Sequence, residues 1–292
     1  MIEVQPEQAR TLAAIVDGGT FDAAARTLNL TPSAVSQRVR ALETAVGRPV
    51  LRRVRPVELT ESGQAVLRFA RQLALLAVDL AGELEPAGSD PTPRVTVVVN
   101  SDSLHTWALA GLARVADRVR LEVLREDEEH SLDLLRTGAA TAAVTSTAAP
   151  VPGCTVRRLG VMRYRAVCSS AIARAWFGDG VNAQTLAVAP VLCFDRKDDL
   201  QDRYLRRQTR RRLDPPRHYV PETAEYAAAI RLGLGWGLMP ELQLGDDLET
   251  GVLVALGEGR VDVALYWQQW RLSSAALQQV AAAVLEAARV LR

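Results

Sequence analysis

The first sixty residues contain three stretches in which apolar residues recur every three or four positions, the spacing of a helix with one buried face. This pattern predicts one helix from about Pro6 to Asp17, a second that begins after Thr20 and contains Leu28, and a third from Pro32 to about Val46. Thr20 and Thr31 stand where N-cap residues are expected, because a threonine hydroxyl can accept a backbone N–H of the first turn.

The predicted third helix has an apolar face and a polar face. Its apolar positions follow one another at spacings of four, three and four and are expected to be buried: Val35, Val39, Leu42 and Val46. The other face carries residue types that suit contacts with base edges in a DNA groove, namely Ser33, Ser36, Gln37 and Arg40. An ordinary helix with a solvated polar face is the alternative interpretation of the same pattern.

A basic segment from Arg48 to Leu59 favours the DNA interpretation, since it predicts two short strands around an arginine-rich turn. Between Arg26 and Arg71 there are nine arginines and three acidic residues, although the whole chain of 292 residues has a net charge of only +1. A basic hairpin of this kind can contact phosphates without reading sequence. Three helices followed by such a hairpin form a winged helix-turn-helix, whose candidate DNA contacts are Thr31, Ser33, Ser36, Gln37, Arg38, Arg40, Arg52, Arg53 and Arg55.

One long helical pattern from residue 60 to residue 85 follows the hairpin. Its apolar residues alternate spacings of four and three, as in a coiled-coil seam: Val66, Ala70, Leu73, Ala77, Leu80 and Leu84. We predict that this seam dimerises the protein, chiefly through Leu73, Ala77 and Leu80; a helix packed on its own domain is the alternative. Residues 85–93, EPAGSDPTP, have the composition of a linker.

Beyond residue 93, apolar runs alternate with helical stretches, which indicates an α/β unit. The runs predicted to be strands are Val95–Val99, Leu121–Leu124, Ala142–Val144, Ala166–Cys168, Val191–Phe194, Trp236–Met239 and Val261–Tyr266. The predicted organisation is therefore a DNA-binding domain (1–59), a linker and dimerisation helix with a hinge (60–93), and an α/β domain (94–292).

Several other classes of protein are disfavoured. No apolar run approaches the roughly 20 residues of a membrane helix, and the N-terminus lacks the apolar core of a secretory leader. Cys154, Cys168 and Cys193 form no CxxC pair, so reduced thiols and a cytoplasmic location without a membrane partner are expected. We expect no cofactor, no metal and no enzymatic activity, because the sequence offers neither a metal-ligand spacing nor a nucleophile with its base. Gly233-x-Gly235-x-Gly237 follows a helical pattern, so it is interpreted as a helix stop and not as a phosphate loop.

The segment FDAAARTLNLTPSAVSQRVRALETAVGRPVLRR, followed by LTESG, resembles the N-terminal signature of LysR-type transcriptional regulators. The order of DNA head, linker helix and α/β domain along the whole chain is also that of the family. The C-terminal part resembles the LysG/ArgP branch, which responds to basic amino acids, in Asn100–Ser103, Arg125–His130, Met162–Ala166, Phe194–Asp198, Gly233–Gly237 and Tyr266–Gln268. Ser101 stands where this branch is expected to have alanine.

The resemblance implies a C-terminal effector domain like a periplasmic binding protein, in which two α/β lobes close around a small ligand. Lobe one would span about 94–161 and 261–292, and lobe two about 162–260. The implied function is that of a transcription regulator that binds a double-stranded DNA operator as a homodimer or homotetramer and activates an amino-acid exporter gene, with RNA polymerase as a candidate partner. The effector would be lysine or arginine. The competing function, an amino-acid-binding module of a transport or sensing system, fits less well with the arginine-rich hairpin.

Acidic and hydroxyl residues at strand ends are the candidates for holding such an effector. Backbone N–H groups after Asn100, at the start of a helix that Ser103 could cap, could hold its carboxylate. Because a buried ammonium must be paired, we predict that Asp102 and Asp195, from different lobes, hold its two cationic groups. Further candidate contacts are Ser101, Glu126, Thr145, Ser146 and Thr147. The alternatives are helix capping by Asp102, surface pairing of Asp195 with Arg196 or Lys197, and solvation of Glu126.

Overall fold

A computed structural model describes residues 3–52, 54, 57–84, 92–126 and 128–291 of the chain. The chain forms two compact units. The first comprises Met1–Val99, Gly111–Arg157 and Trp267–Val284, and the second comprises Asn100–Ala110, Arg158–Tyr266 and Leu285–Arg292. Residues 53 and 55 of the predicted wing and residues 85–91 of the predicted linker lie outside the described residues.

The N-terminal elements are α1 (Pro6–Gly18), α2 (Phe21–Leu28), α3 (Pro32–Val46), β1 (Leu51–Arg52), β2 (Glu58–Leu59) and α4 (Glu61–Leu84). The predicted caps are confirmed, since the Thr20 hydroxyl accepts the Ala23 N–H at 3.1 Å and the Thr31 hydroxyl accepts the Ala34 N–H at 3.2 Å. Strands β1 and β2 pair antiparallel. The three helices and the two-stranded wing predicted for this module are therefore all present.

The long helix α4 packs on this module in its first half. Val66 and Ala70 are buried in the same apolar core as Leu12, Val35 and Leu42. The prediction of a continuous dimerisation seam is therefore wrong at Val66 and Ala70, because these two side chains are buried inside their own chain. Farther along α4 the seam residues Leu80 and Leu84 are exposed, as are Phe69 and Leu76.

The elements after residue 91 begin with β3 (Arg94–Val99), α5 (Ser101–Ser103), a π-helical turn (Leu104–Ala108), α6 (Leu109–Ala113), β4 (Arg120–Arg125), α7 (Glu128–Thr137), β5 (Ala142–Thr145) and β6 (Cys154–Ser169). They continue with α8 (Ser170–Trp176), α9 (Ala183–Val188), β7 (Val191–Cys193), α10 (Leu200–Gln208), β8 (Arg217–Tyr219), α11 (Thr223–Arg231), β9 (Gly237–Pro240), β10 (Leu253–Trp270) and α12 (Ala275–Ala287). Five of the seven apolar runs predicted to be strands lie wholly within one, and the other two, Val191–Phe194 and Trp236–Met239, extend one residue beyond β7 and β9. None of the described helices has the length and apolar character needed to cross a membrane.

In the first unit, β3 lies between β4 and β5 and runs parallel to both. The next strand in the order is β10, whose Trp270 N–H donates to the Thr141 carbonyl at 3.1 Å. Helix α4 packs against α7 within this unit, so the DNA-binding module and part of the predicted first lobe are in contact, and the predicted division at residue 93 stays a prediction. The backbone just after α7 approaches α4 closely at Gly138, where a Cβ would lie 2.6 Å from the Arg68 Cα.

In the second unit, β6 pairs antiparallel with β9, and β7 pairs parallel with β8. An apolar core that includes Val167, Leu192, Ile230 and Met239 joins the sheet to α11. The segment Asn100–Ala110 belongs to this unit, whereas the sequence argument assigned it to the first lobe. Asp102 and Asp195 therefore lie in the same unit and not in different ones.

We expect that Gly138→Ala will destabilise the protein more than Gly153→Ala will. Both glycines have a left-handed backbone, with φ of +77° and +84°, but only Gly138 has other atoms where a Cβ would stand. The backbone strain should cost about 1–2 kcal/mol in either variant, and the contact with Arg68 should add to it at Gly138 only. The thermal unfolding midpoints of the two variants measure the difference. Equal losses would show that the α4–α7 contact tolerates a side chain at this position.

Candidate DNA-binding and effector sites

The polar face of α3 is open to solvent. Ser33, Gln37 and Arg40 are exposed, and Thr31 and Ser36 have local hydrogen bonds, the Ser36 hydroxyl donating to the Pro32 carbonyl at 3.0 Å. Arg38 points toward α1, where its guanidinium lies 3.9 Å from the Glu7 carboxylate. The arrangement leaves Gln37 and Arg40 one turn apart and free to approach a groove.

The wing presents Arg52 beside this helix module. In the β1–β2 pair Arg52 stands opposite Glu58, and their side chains form an ion pair at 3.7 Å. The Arg52 side chain is 67% exposed, so the pair is solvated and can exchange Glu58 for a phosphate at little cost. Arg53 and Arg55 lie outside the described residues and stay predicted phosphate contacts.

Asp102 lies at the centre of the candidate effector site in the second unit. Strand β3 runs directly into Asn100, and Asp102 occupies the first turn of α5. The Tyr164 hydroxyl donates to Asp102 Oδ2 at 2.7 Å, and the Thr223 hydroxyl donates to Oδ1 at 3.1 Å. Both donors are buried. The carboxylate is therefore held in one orientation by β6 and α11.

The surroundings of the Asp102 carboxylate disfavour its negative charge. Burial raises its pKa above the ordinary value of 3.8, in spite of the hydrogen bonds from Tyr164 and Thr223, and the nearby negative charge of Asp198 raises it further. His105 lowers it only slightly. Within the part of the chain that the structure describes, no residue forms an ion pair with Asp102.

Asp198 is a second half-buried carboxylate, in the loop between β7 and α10. It accepts the Phe194 N–H at 2.9 Å on Oδ2 and the Leu200 N–H at 3.0 Å on Oδ1. Burial again raises its pKa, against the lowering effect of these backbone hydrogen bonds. Two half-buried carboxylates whose charges repel one another favour the binding of a cation.

The buried Tyr226 hydroxyl supports the Asp198 loop through hydrogen bonds. Tyr226 accepts the Gln201 side-chain N–H at 3.0 Å, donates to the Leu192 carbonyl at 3.1 Å and accepts the Leu238 N–H at 3.2 Å. Burial raises the pKa of Tyr226 well above its ordinary value, so the hydroxyl stays protonated. The network joins the end of β7, the start of α10 and β9.

Asp195 has a structural role in the same loop. Its Oδ1 accepts the Lys197 N–H at 2.7 Å and the Asp198 N–H at 2.9 Å, which stabilises the turn that presents Asp198. A cation contact for Asp195 stays a prediction, and the carboxylate whose charge acts on Asp102 is that of Asp198.

The start of α5 differs from its prediction. Asn100 and not Ser103 is the N-cap residue, and Ser103 lies inside the first turn. The Asn100 Oδ1 and Ser103 Oγ atoms are buried and have no hydrogen-bond partner among the described residues. Ser101 is half-buried. Unpaired buried polar atoms are costly, so these two are available to a polar ligand group.

The other candidate effector contacts lie in the first unit. Thr145 ends β5 and is buried, and its hydroxyl accepts the Thr147 N–H at 3.1 Å. The Thr147 carbonyl accepts a Gln268 side-chain N–H at 3.0 Å. Ser146, between the two threonines, is half-buried. Glu126 follows β4 and is exposed. Among the described residues, no group of three or more His, Cys, Asp or Glu residues is arranged to hold a metal ion.

Sequence reasoning missed Tyr164, Asp198 and Thr223. Tyr164 and Asp198 stand in segments that resemble the LysG/ArgP branch, which is the signal that could have identified them. Thr223 carries no local signal, because its contact with Asp102 spans 121 positions of the chain.

The sequence matches two described families, "Bacterial regulatory helix-turn-helix protein, lysR family" over residues 6–64 and "LysR substrate binding domain" over residues 88–289. A relative, HTH-type transcriptional regulator LysG of Mycobacterium tuberculosis, is 43% identical over 281 residues, which cover 96% of this chain and 92% of the relative. Lysine export transcriptional regulatory protein LysG of Corynebacterium glutamicum is 40% identical over 292 residues, with 98% of each chain covered. A solved structure, full-length LysG from Corynebacterium glutamicum with bound effector Arg, has a TM-score of 0.82 and 39% identity, and the match covers 99% of this chain and 100% of that chain.

These matches include both the winged head and the α/β domain, and they confirm the predicted fold class. The relatives are transcription regulators and not enzymes. Since the substrate-binding family alone accounts for more than half of the residues, the chain belongs to the LysR family of bacterial regulators, which bind DNA under the control of a small-molecule effector.

Proposed function

We propose that this protein is a transcription regulator whose effector is a basic amino acid, arginine or lysine, and that Asp102 and Asp198 bind a cationic group of that effector. The observation that carries the proposal is the Asp102 carboxylate, which is half-buried and oriented by two hydroxyls, and whose pKa is raised by burial and further by the charge of Asp198. A guanidinium or ammonium group would supply the missing positive charge.

The same site offers groups for the rest of an amino acid. Ser103 Oγ is an unused buried donor and acceptor close in sequence to Asp102, and the N–H groups of the first helical turn there attract a carboxylate. Ser101, Thr145, Ser146, Thr147, Glu126 and Asp195 remain predicted additional contacts. No cofactor is needed in this proposal.

The relatives support a basic effector. The Corynebacterium glutamicum LysG structure contains bound effector Arg, and the name of that protein refers to lysine export. We infer that this chain activates an amino-acid exporter gene, with RNA polymerase as a candidate partner at the promoter.

We expect calorimetry to show that arginine and lysine bind and that leucine does not. Asp102→Asn should weaken arginine binding by about 2–5 kcal/mol, since it removes one partner of a buried charge pair. Without ligand, the variant should unfold at no lower temperature than the parent protein, because it removes an uncompensated buried charge.

Asp179→Asn is the matched control for this experiment, as Asp179 is exposed and lies in the same unit. It should bind arginine like the parent protein. Leucine binding as tightly as arginine, or full arginine affinity in Asp102→Asn, would overturn the assignment.

We propose that Gln37 and Arg40 read bases while Arg52, with its neighbour Arg53, holds phosphates. Arg40→Ala should cost about 1–3 kcal/mol on the operator and reduce the preference for it over random DNA. Arg52→Ala should weaken operator and random DNA alike and lower the slope of affinity against salt by about one. Fluorescence anisotropy at several salt concentrations measures both effects. An Arg40→Ala protein that discriminates as before would show that this face does not read the groove.

We propose that the exposed apolar stripe on α4, defined as Phe69, Leu76, Leu80 and Leu84, forms the interface of a homodimer, with Leu73 and Ala77 beside it. A glutamate at position 80 would be buried unpaired in such an interface, which is strongly unfavourable. Leu80→Glu should therefore lower the mass measured by light scattering. Val188→Glu is the control, because Val188 is as exposed as Leu80, 53% against 54%, and lies off the helix. If Leu80→Glu keeps the parental mass, the stripe is not the interface.

A further inference from the structure

Two arginines of α4 hold the end of α7. The Arg68 guanidinium donates to the Arg136 carbonyl at 2.9 Å, and the Arg71 guanidinium donates to the Gly138 carbonyl at 2.6 Å. The last carbonyls of a helix have no partner within the helix, and positive charge is favourable beside them. The contact therefore satisfies the end of α7 with side chains of the helix that leaves the DNA-binding module.

Arg71 makes a second contact that Arg68 does not make. Its other terminal nitrogen donates to Asp17 Oδ1 at 2.8 Å, which is also a salt bridge. Asp17 stands near the end of α1. One planar guanidinium thus joins α1, α4 and the turn after α7, and its side chain is only 24% exposed.

The turn held by Arg71 has little freedom to slide. Gly138 is buried and has a φ of +77°, and its Cα approaches the backbone of Arg68 so closely that a Cβ would lie 2.6 Å from the Arg68 Cα. Packed elements with such contacts move as units and not by continuous deformation. A displacement of this turn must therefore be passed to α4 or break the bonds of Arg71.

The same turn is connected to the candidate effector site by strands. Gly138 leads through Thr141 into β5, and the N–H and hydroxyl of Thr141 both donate to the Thr96 carbonyl of β3, at 2.9 Å and 2.7 Å. Strand β3 ends at Val99, immediately before the segment that carries Asp102. The Arg71 bridge is thus separated from that segment by one strand pairing.

We propose that Arg71 is a coupling residue, which transmits the state of the effector domain to the DNA-binding module by holding Asp17 and the Gly138 carbonyl at once. This inference rests on the proposed function, since it assumes that arginine is an effector. It predicts that Arg71 sets the ratio of DNA affinities with and without arginine and contributes little to either binding event alone.

The test measures that ratio in the full chain for the parent protein, Arg71→Gln and the matched control Arg68→Gln, one turn away on the same helix. Allosteric coupling typically corresponds to about a 5- to 150-fold change in affinity, and in Arg71→Gln the ratio should fall to about one. DNA affinity without arginine, and arginine affinity without DNA, should stay within about twofold of the parent values. Arg68→Gln should keep the ratio, because Arg68 does not reach α1.

Asp17→Asn provides the second arm. It should reproduce the loss of coupling, and the Arg71→Gln, Asp17→Asn double variant should be no worse than either single variant, as expected for two residues that act through one contact. An unchanged ratio in Arg71→Gln, or an equal loss in Arg68→Gln, would overturn the inference.

If the proposed function is wrong, the parent protein will bind neither arginine nor lysine, which distinguishes that outcome from a loss of coupling.

Hydrogen exchange tests the Arg71 bridge without any ligand. In Arg71→Gln the amides around Asp17 and Gly138 should both lose protection, whereas Arg68→Gln should affect only those near Gly138. Protection around Asp17 that matches the parent protein would contradict the bridge.

Discussion

A carboxylate that is partly removed from water without a positive partner raises the free energy of the folded protein. Among the residues that the structure describes, Asp102 is half-buried and forms no ion pair. Several elements of the second unit contribute to its surroundings. Strand β6 supplies Tyr164, α11 supplies Thr223, and the loop held by Asp195 and Tyr226 supplies Asp198, whose charge adds to the cost. The protein bears this cost without ligand, and a cationic effector would remove it. Such a difference between two states is what a ligand needs in order to shift their populations.

In the first unit the side chains that this account concerns are arginines. Its DNA-binding module exposes Arg40 and Arg52, and its internal contacts use arginine side chains to satisfy the carbonyls at the end of α7. In the proposed coupling, the carboxylates of the effector site act first and the arginine contacts of the first unit act second. Effector binding at the acidic site alters the strands that lead from it, and Arg71 passes the change to α1. The reading of DNA by α3 then depends on a salt bridge that touches neither DNA nor effector.

Local signals predicted the helices well. Thr20 and Thr31 cap α2 and α3 as expected, because capping depends only on residues three positions apart. The apolar runs also marked the strands, but they missed most of β6 and β10, which are 16 and 18 residues long. Exposed and half-buried residues make up most of the first half of β6 and interrupt the buried ones along β10, so no continuous apolar run marks these strands.

Features that depend on tertiary packing were harder to predict. Periodicity placed Val66 and Leu80 on one seam, but the core of the DNA-binding module takes Val66 and leaves Leu80 exposed. The position of an acid after a strand could not distinguish Asp195 from Asp198, because the turn that Asp195 stabilises brings the charge of Asp198, three residues later, to act on Asp102. The contacts of Asp102 with Tyr164 and Thr223 span 62 and 121 positions, a separation at which one sequence gives no pairing signal.

The claim that Asp102 binds a cationic group of the effector is tested most directly by the number of protons released when arginine binds. The raised pKa means that a fraction of the carboxyl groups is protonated at a pH above 3.8, where an ordinary aspartate is mostly charged. A bound cation lowers that pKa, so binding must release protons and affinity must fall as the pH falls through the raised pKa. Calorimetry in buffers of different ionisation enthalpy, repeated from neutral pH downward, measures the number released. The account predicts a net release that grows in this range and is largely lost in Asp102→Asn. Arginine binding with no proton release at any pH, or with the same release in Asp102→Asn, would contradict it.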